Sequence, residues 1–162
     1  FVEAMAHFGG ASKRLEVLAM GKSTNVYRDF AHAPSKVKAT IEAVKAQYPA
    51  RKLVAILELH TYSSLNEAFM KEYKGVMDKA DSAAVFYSKH ALELKRMPEL
   101  PVTAVQEGFG KEGLQVSNSK ELLEAWLQAQ DYKNASVLLM SSGNYDGLDM
   151  LTFAERASIN FS

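Results

Sequence analysis

Short, nearly continuous apolar runs alternate along the chain with longer stretches in which apolar residues recur every three or four positions. Arg14–Met20 (RLEVLAM) and Asn25–Asp29 (NVYRD) read as two short strands. Val17, Leu18, Val26 and Tyr27 supply their β-branched, aliphatic and aromatic bulk, and residues 21–24 a tight turn. Pro34 suits a helix start, where a missing N–H is tolerated. The helix Ser35–Tyr48 carries Val37, Ile41, Val44 and Tyr48 on one face, and Pro49 ends it. Lys52–Leu59 (KLVAILEL) is apolar almost throughout, as expected of a strand covered on both faces. The spacing of Leu65, Phe69, Val76, Met77 and Ala80 predicts a second helix over Leu65–Ala80, and Ala83–Tyr87 (AAVFY) is the next strand. From His90 to Gly113 the pattern is weak: HALELKRM makes a helical turn, and Pro98 and Pro101 break the stretch beyond it. Leu114–Val116 reads as a brief strand. Asn118 is expected to cap a helix over Ser119–Gln130, with Glu121 placed for a capping box and Leu122, Leu123, Trp126 and Leu127 as its buried stripe. Ala135–Met140 (ASVLLM) is the last strand, SSGNYDG a loop and Leu148–Ala157 the final helix.

Strands alternating with helices after an opening hairpin indicate βαβ units with right-handed crossovers. The expected fold is a three-layer α/β/α, Rossmann-like domain of about six mostly parallel strands with an N-terminal hairpin. Lys52–Leu59 and Ala135–Met140 should be central, being the most apolar. In such a sheet ligands bind at the carboxyl ends of strands. Three of those ends are chemically rich: Asp29–Pro34, His60–Ser64 and Ser141–Asp146.

The 162 residues make one domain's worth of chain. Lys+Arg is 19 and Asp+Glu is 19, so no global field favours nucleic acid or an anionic membrane as a partner. With no cysteine, disulfides, thiolate nucleophiles and Cys-based zinc sites are excluded. No apolar run approaches the roughly 20 residues of a membrane span. At the start, Phe1, Met5 and Phe8 share a helical stripe that Gly9 and Gly10 stop. Residues 1–10 are therefore expected to end a helix of a preceding domain, with 11–162 forming the domain proper.

Among candidate motifs, GKST at residues 21–24 is the tail of a phosphate-binding loop, but the required upstream glycine is Glu16 and a strand comes next rather than a helix. It reads as a hairpin turn. Lys13 and Arg14 lie after a glycine-rich break, either as a solvated pair or as cations near a phosphate. In DFAHAP, Asp29 ends a strand and His32 precedes a Pro-started helix. They could meet a ribose and a purine, or could serve only the helix start. His60, Thr61, Tyr62, Ser63 and Ser64 come after a buried strand and suit either anion or amino-acid recognition or a helix cap. In MSSGNYDG, small residues permit close approach, while Asn144, Tyr145 and Asp146 offer polar tips. The four histidines (7, 32, 60, 90) have no metal-ligand spacing.

These pieces together resemble the C-terminal domain of the Mur ligases, ATP-dependent amide-forming enzymes of peptidoglycan synthesis. FGGASKRLE resembles the family's F-x-G-x-x-R-R-x-E junction, and VYRDFAHAPSKVKATIEAVK its D-D-F/Y-A/G-H-x-P segment and adjoining helix. LELHTYSS is similar to the F-Q-P-H-x-Y-S/T-R segment of the alanine-adding subgroup, and LLMSSGNYDGLDML to the M-S-N-G-G-F segment of the murein peptide ligases. The resemblance implies that Arg14, the catalytic candidate, approaches the ATP phosphates. Asp29 would bind the nucleotide ribose and His32 lie beside the adenine. His60, Tyr62, Ser63, Asn144 and Asp146 would belong to the face that receives the incoming amino acid or peptide. Departures from the family pattern are Lys13, Arg28, Ala33 and Ser64. Ser64 replaces an arginine, which tilts the reading toward the murein peptide ligases.

The resemblance further implies a cytoplasmic enzyme of peptidoglycan recycling using ATP and magnesium, both held mainly by a central domain. An N-terminal domain would bind UDP-N-acetylmuramate. This chain would close as a lid over an amino acid or murein tripeptide and be inactive alone. The alternatives are the alanine-adding subgroup and, outside the enzymes, a non-catalytic α/β binding module.

Overall fold

The computed structural model describes residues 15–160. The expected helix end at Phe1–Phe8 and the basic pair Lys13 and Arg14 lie outside the described residues.

Two strands open the fold, β1 (Glu16–Met20) and β2 (Thr24–Asp29), paired antiparallel. The Gly21 N–H donates to the Thr24 carbonyl at 2.7 Å, so GKST is a hairpin turn. Helix α1 (Pro34–Gln47) leads to β3 (Lys52–Glu58), and an irregular segment leads on to β4 (Ser82–Phe86). Helices α2 (Lys89–Leu94) and α3 (Val102–Phe109) precede β5 (Gln115–Ser117). Helix α4 (Lys120–Ala129), β6 (Ala135–Met140) and α5 (Met150–Asn160) complete the described residues. The sheet order is β1-β2-β6-β3-β4-β5, with every pair but the first parallel. The two most apolar strands, β6 and β3, are the central pair, as their sequences predict.

Successive side chains of a strand point to opposite faces, so each central strand feeds two cores. Leu53, Ala55, Leu57, Leu138 and Met140 pack under α1, α3 and the 65–80 segment. Val54, Ile56, Val137 and Leu139 pack under α4 and α5 with Leu123, Leu127 and Ala154. The result is the expected three-layer α/β/α sandwich.

Three local expectations are corrected. Residues 65–80 form turns and a 3-10 helix, Glu67–Tyr73, not an α-helix. Asn66 caps it, bonds of the i to i+3 kind link Phe69 to Asn66 and Val76 to Tyr73, and Gly75 at φ +81° gives its N–H to the Phe109 carbonyl of α3. The buried residues Met70, Tyr73 and Val76 fall every third position, the period of that tighter helix. Helix α3 stands where the pattern predicts only a break at the prolines. Pro101 is its N-cap, and Gly110 in the left-handed region ends it. Finally, Ser119, not Asn118, caps α4 by accepting from the Leu122 N–H at 3.3 Å. Its buried stripe is Leu123 and Leu127, with Leu122 half exposed.

Candidate functional site

Parallel strands β2, β6 and β3 are adjacent, so the three polar ends picked out in the sequence emerge side by side. The Ser141 N–H donates to the Asp29 carbonyl at 3.0 Å, joining the first two.

At the end of β2, Asp29 is 3% exposed. Its Oδ1 accepts from the Leu15 N–H (2.6 Å), and its Oδ2 from the Ala31 N–H (2.9 Å) and the Thr40 hydroxyl (3.3 Å). The carboxylate thus fixes the entry of β1 against the exit of β2 and the first turns of α1. Three residues on is His32, with Nδ1 3.0 Å from the Phe30 carbonyl. A carbonyl only accepts, so Nδ1 is the donor in this contact. The Tyr73 hydroxyl donates to the His32 carbonyl at 2.7 Å, and burial pushes that phenol up to about 12. The Phe30 ring, 46% exposed, meets the His32 ring edge-to-face at 5.8 Å. The two rings stand nearly perpendicular, at 87°. Among the described residues no group of three or more His, Asp or Glu side chains is placed to hold a metal ion.

The end of β3 carries a residue that the apolar pattern alone does not flag. Period-two alternation places Glu58 on the face of Val54 and Ile56, and it is 2% exposed. Its Oε1 accepts from the Ser141 hydroxyl (2.5 Å) and the Tyr145 N–H (2.8 Å). Its Oε2 lies 3.8 Å from His60 Nδ1. Burial pushes the Glu58 carboxyl above the usual carboxylate range, and Asp146 adds to that. The Ser141 and Tyr145 bonds and His60 oppose it. Gly143 completes the cluster: a Cβ there would sit 2.9 Å from His60 Cγ and 3.0 Å from Glu58 Oε1, so only glycine lets the loop approach this closely.

Tyr145 does not offer its polar tip. It is fully buried, and its hydroxyl donates toward the carbonyls of Ile56 (2.9 Å) and Met140 (2.7 Å). Tyr145 and Asp146 both have positive φ, 55° and 58°, a costly pair for residues with side chains. The three hydrogen bonds of Tyr145 hold the turn in that conformation. Asp146 itself is exposed, and so is Asn144, whose side chain accepts from the Gly147 N–H at 3.3 Å.

His60 therefore joins the 141–147 loop, while Tyr62 and Ser63 do not. Tyr62 is 64% exposed, with the Lys95 ammonium 4.8 Å from its ring centroid. Ser63 is exposed as well. Thr61 and Ser64 instead close the turn that precedes the Asn66 cap: the Ser64 N–H donates to Thr61 Oγ1 (3.1 Å) and the Thr61 N–H to Ser64 Oγ (3.0 Å). Ser64 is buried in that exchange. A groove of about 400 Å³ between α4 and α5 contains none of the candidate residues.

Residues 13–143, more than half of the chain, match the family described as Mur ligase, glutamate ligase domain. The chain belongs to the Mur ligase family. It is 28% identical over 144 residues to the UDP-N-acetylmuramate–L-alanine ligase of Limosilactobacillus reuteri, a match covering 89% of this chain and 31% of that relative. The chain thus spans about a third of that relative's length. Among solved structures it is similar to a domain attributed to a UDP-N-acetylmuramate:L-alanyl-γ-D-glutamyl-meso-diaminopimelate ligase of Haemophilus ducreyi. That match has TM-score 0.61 and 23% identity, over 92% of this chain and all of that one. It is also similar to a murein peptide ligase of Psychrobacter arcticus, with TM-score 0.67 and 18% identity, over 88% of this chain and 30% of that one. At these identities the two structures speak for the fold, which is that of the Mur ligase C-terminal α/β domain. No helix among the described residues is long and apolar enough to cross a membrane.

Proposed function

We propose that this chain is the C-terminal domain of an ATP-dependent ligase that joins a murein tripeptide to UDP-N-acetylmuramate. The domain receives the amine substrate and contributes nucleotide contacts, while ATP phosphates, magnesium and the UDP-sugar are held chiefly by other domains. The observation that carries this is the side-by-side emergence of the β2, β6 and β3 ends. It sets two aromatic rings (Phe30, His32) at the same carboxyl end of the sheet as a polar cluster (Glu58, His60, Gly143). One side suits a purine and the other an amine, the two ligands a ligase must bring together. Asp29 orients the β2 end and lies beside the ribose, and Arg14 supplies charge to the phosphates.

The tripeptide is preferred because position 64 presents no cation. Ser64 is buried and bonded to Thr61, so nothing there clamps the carboxylate of a single amino acid. The second reading, L-alanine as the amine, is favoured by the similarity to the L. reuteri enzyme. Comparing kcat/KM for L-Ala-γ-D-Glu-meso-diaminopimelate and L-alanine in the complete protein, with ATP and UDP-N-acetylmuramate, separates them. The tripeptide should be preferred by tenfold or more, equivalent to about 1.4 kcal/mol. A preference for alanine promotes the second reading, and no turnover with either amine returns the chain to a binding module. The 162-residue chain alone should hydrolyse no ATP.

A further inference from the structure

Two buried polar atoms at the carboxyl ends of β3 and β6 have no hydrogen-bond partner, His60 Nδ1 and Ser142 Oγ. Nδ1 is closed off although the His60 side chain is 38% exposed, and Gly143 covers the Cγ–Cδ2 side, so the open edge of the ring is the one bearing Nε2. Facing Nδ1 at 3.8 Å is Oε2 of Glu58. That oxygen cannot turn away, because Oε1 is held by the Ser141 hydroxyl and the Tyr145 N–H. The same two donors, and His60 itself, favour the ionised carboxylate against the burial that raises its pKa.

A neutral imidazole carries one N–H and one lone pair. Across this buried gap a lone pair at Nδ1 would oppose the carboxylate, whereas an N–H is drawn to it. The distance exceeds a hydrogen bond, so the preference is coulombic, and low local dielectric strengthens it. We propose that Glu58 is a positioning residue: it holds His60 in the Nδ1–H tautomer and so presents Nε2 as an acceptor to the amine of the incoming substrate. The identity of the ligand rests on the ligase reading above; the tautomer does not.

An amine at neutral pH arrives as an ammonium ion and must lose a proton before it can attack an acyl group. At Nε2 one ammonium N–H bond breaks, an Nε2–H bond forms, and the electron pair stays on the amine nitrogen. The resulting imidazolium faces Glu58. Asp146, next to Tyr145 in the loop, is the second carboxylate whose charge Glu58 feels. Two carboxylates against one imidazole favour a cation over an anion at this wall. The Tyr145 phenol stays neutral, its pKa raised well above the ordinary value by burial and by Glu58.

Nitrogen-15 NMR of the labelled protein reads the tautomer of each histidine, with His60 assigned from its substitution. Neutral His60 should be the Nδ1–H form. In Glu58→Gln the amide oxygen can keep the Ser141 and Tyr145 donors, while the amide nitrogen turns its positive N–H end toward Nδ1 and favours a lone pair there, so the tautomer ratio should invert by at least about tenfold. An Nε2–H wild type, or the same tautomer in both proteins, overturns the proposal. The wild-type spectrum alone decides should the variant fail to fold. In the complete ligase Glu58→Gln should lower kcat/KM for the amine about tenfold and leave the KM for ATP unchanged. An equal loss for both substrates marks Glu58 as merely structural and overturns the positioning role. Inverted tautomers in a complete protein that ligates neither amine would sink the ligase reading while leaving the Glu58–His60 relation standing.

Discussion

The Tyr145 N–H donates to Oε1 of Glu58 across 2.8 Å, tying the loop after β6 to the end of β3. Both partners are buried, and Ser141 donates to the same oxygen, so removing the acceptor strands two donors. Glu58→Ala should cost about 1–3 kcal/mol for each donor left unpaired. Urea unfolding reads this as a lower midpoint, with Glu58→Gln losing less. Midpoints equal to wild type would mean that the tie carries no stability.

The same carboxyl gives the fold a pH dependence. Burial raises its folded pKa above the ordinary value of 4.5. The folded state therefore holds a proton at pH values where the unfolded state has lost it. The stability this contributes is complete below 4.5 and is lost as pH rises through the folded value. The amide introduced by Glu58→Gln does not titrate. Melting temperatures of wild type minus Glu58→Gln should thus fall as pH rises above 4.5, and a difference that climbs with pH would contradict the raised value.

Asp29 has a structural duty that any nucleotide role is built upon. Asp29→Ala removes an acceptor from three internal donors and should destabilise by about 1.5–3 kcal/mol, since the acceptor is charged. In the complete ligase the KM for ATP should also rise about tenfold. His32→Ala should raise that KM more weakly with little loss of stability. Lowered melting temperatures with unchanged ATP kinetics would confine both residues to the scaffold.

How far the sequence reveals the molecule depends on which force sets each part. Burial on both faces of the sheet writes itself as apolar runs, so Lys52–Leu59 and Ala135–Met140 declare the central strands, and their carboxyl ends declare the site. Segment 65–80 is set by a partner instead. Its apolar spacing fits an α-helix, but Gly75 bonds α3, a helix itself obscured by Pro98 and Pro101. Glu58 is hidden because an acid closing an apolar run looks like its solvated end, and its two donors come from 83 and 87 residues away. The signal lies in its parity, since it shares a face with Val54 and Ile56. Tyr145 is hidden for the converse reason: a tyrosine between Asn144 and Asp146 reads as loop surface, and only the sheet beneath it explains why it turns inward.

Gly108 shows how tightly α3 meets that irregular segment. A Cβ added there would lie 2.5 Å from Met70 Cβ and 2.8 Å from the Met70 backbone. The stacked rings of Tyr73 and Phe109, 4.8 Å between centroids, leave the helix no room to slide. Gly108→Ala should lose about 1–3 kcal/mol despite its higher helix propensity. Chemical denaturation checks this, and a stabilised variant would show that α3 can back away.

The central claim, that this domain receives the amine of a ligation, is tested most directly at His60. Its ring is partly exposed at the junction of the β3 and β6 loops, so His60→Ala should fold. Steady-state ligation by the complete protein, titrated in amine and in ATP, should give a KM for the amine raised about tenfold and a KM for ATP unchanged. An unchanged amine KM in a folded His60→Ala enzyme would contradict the assignment of this wall to the amine substrate.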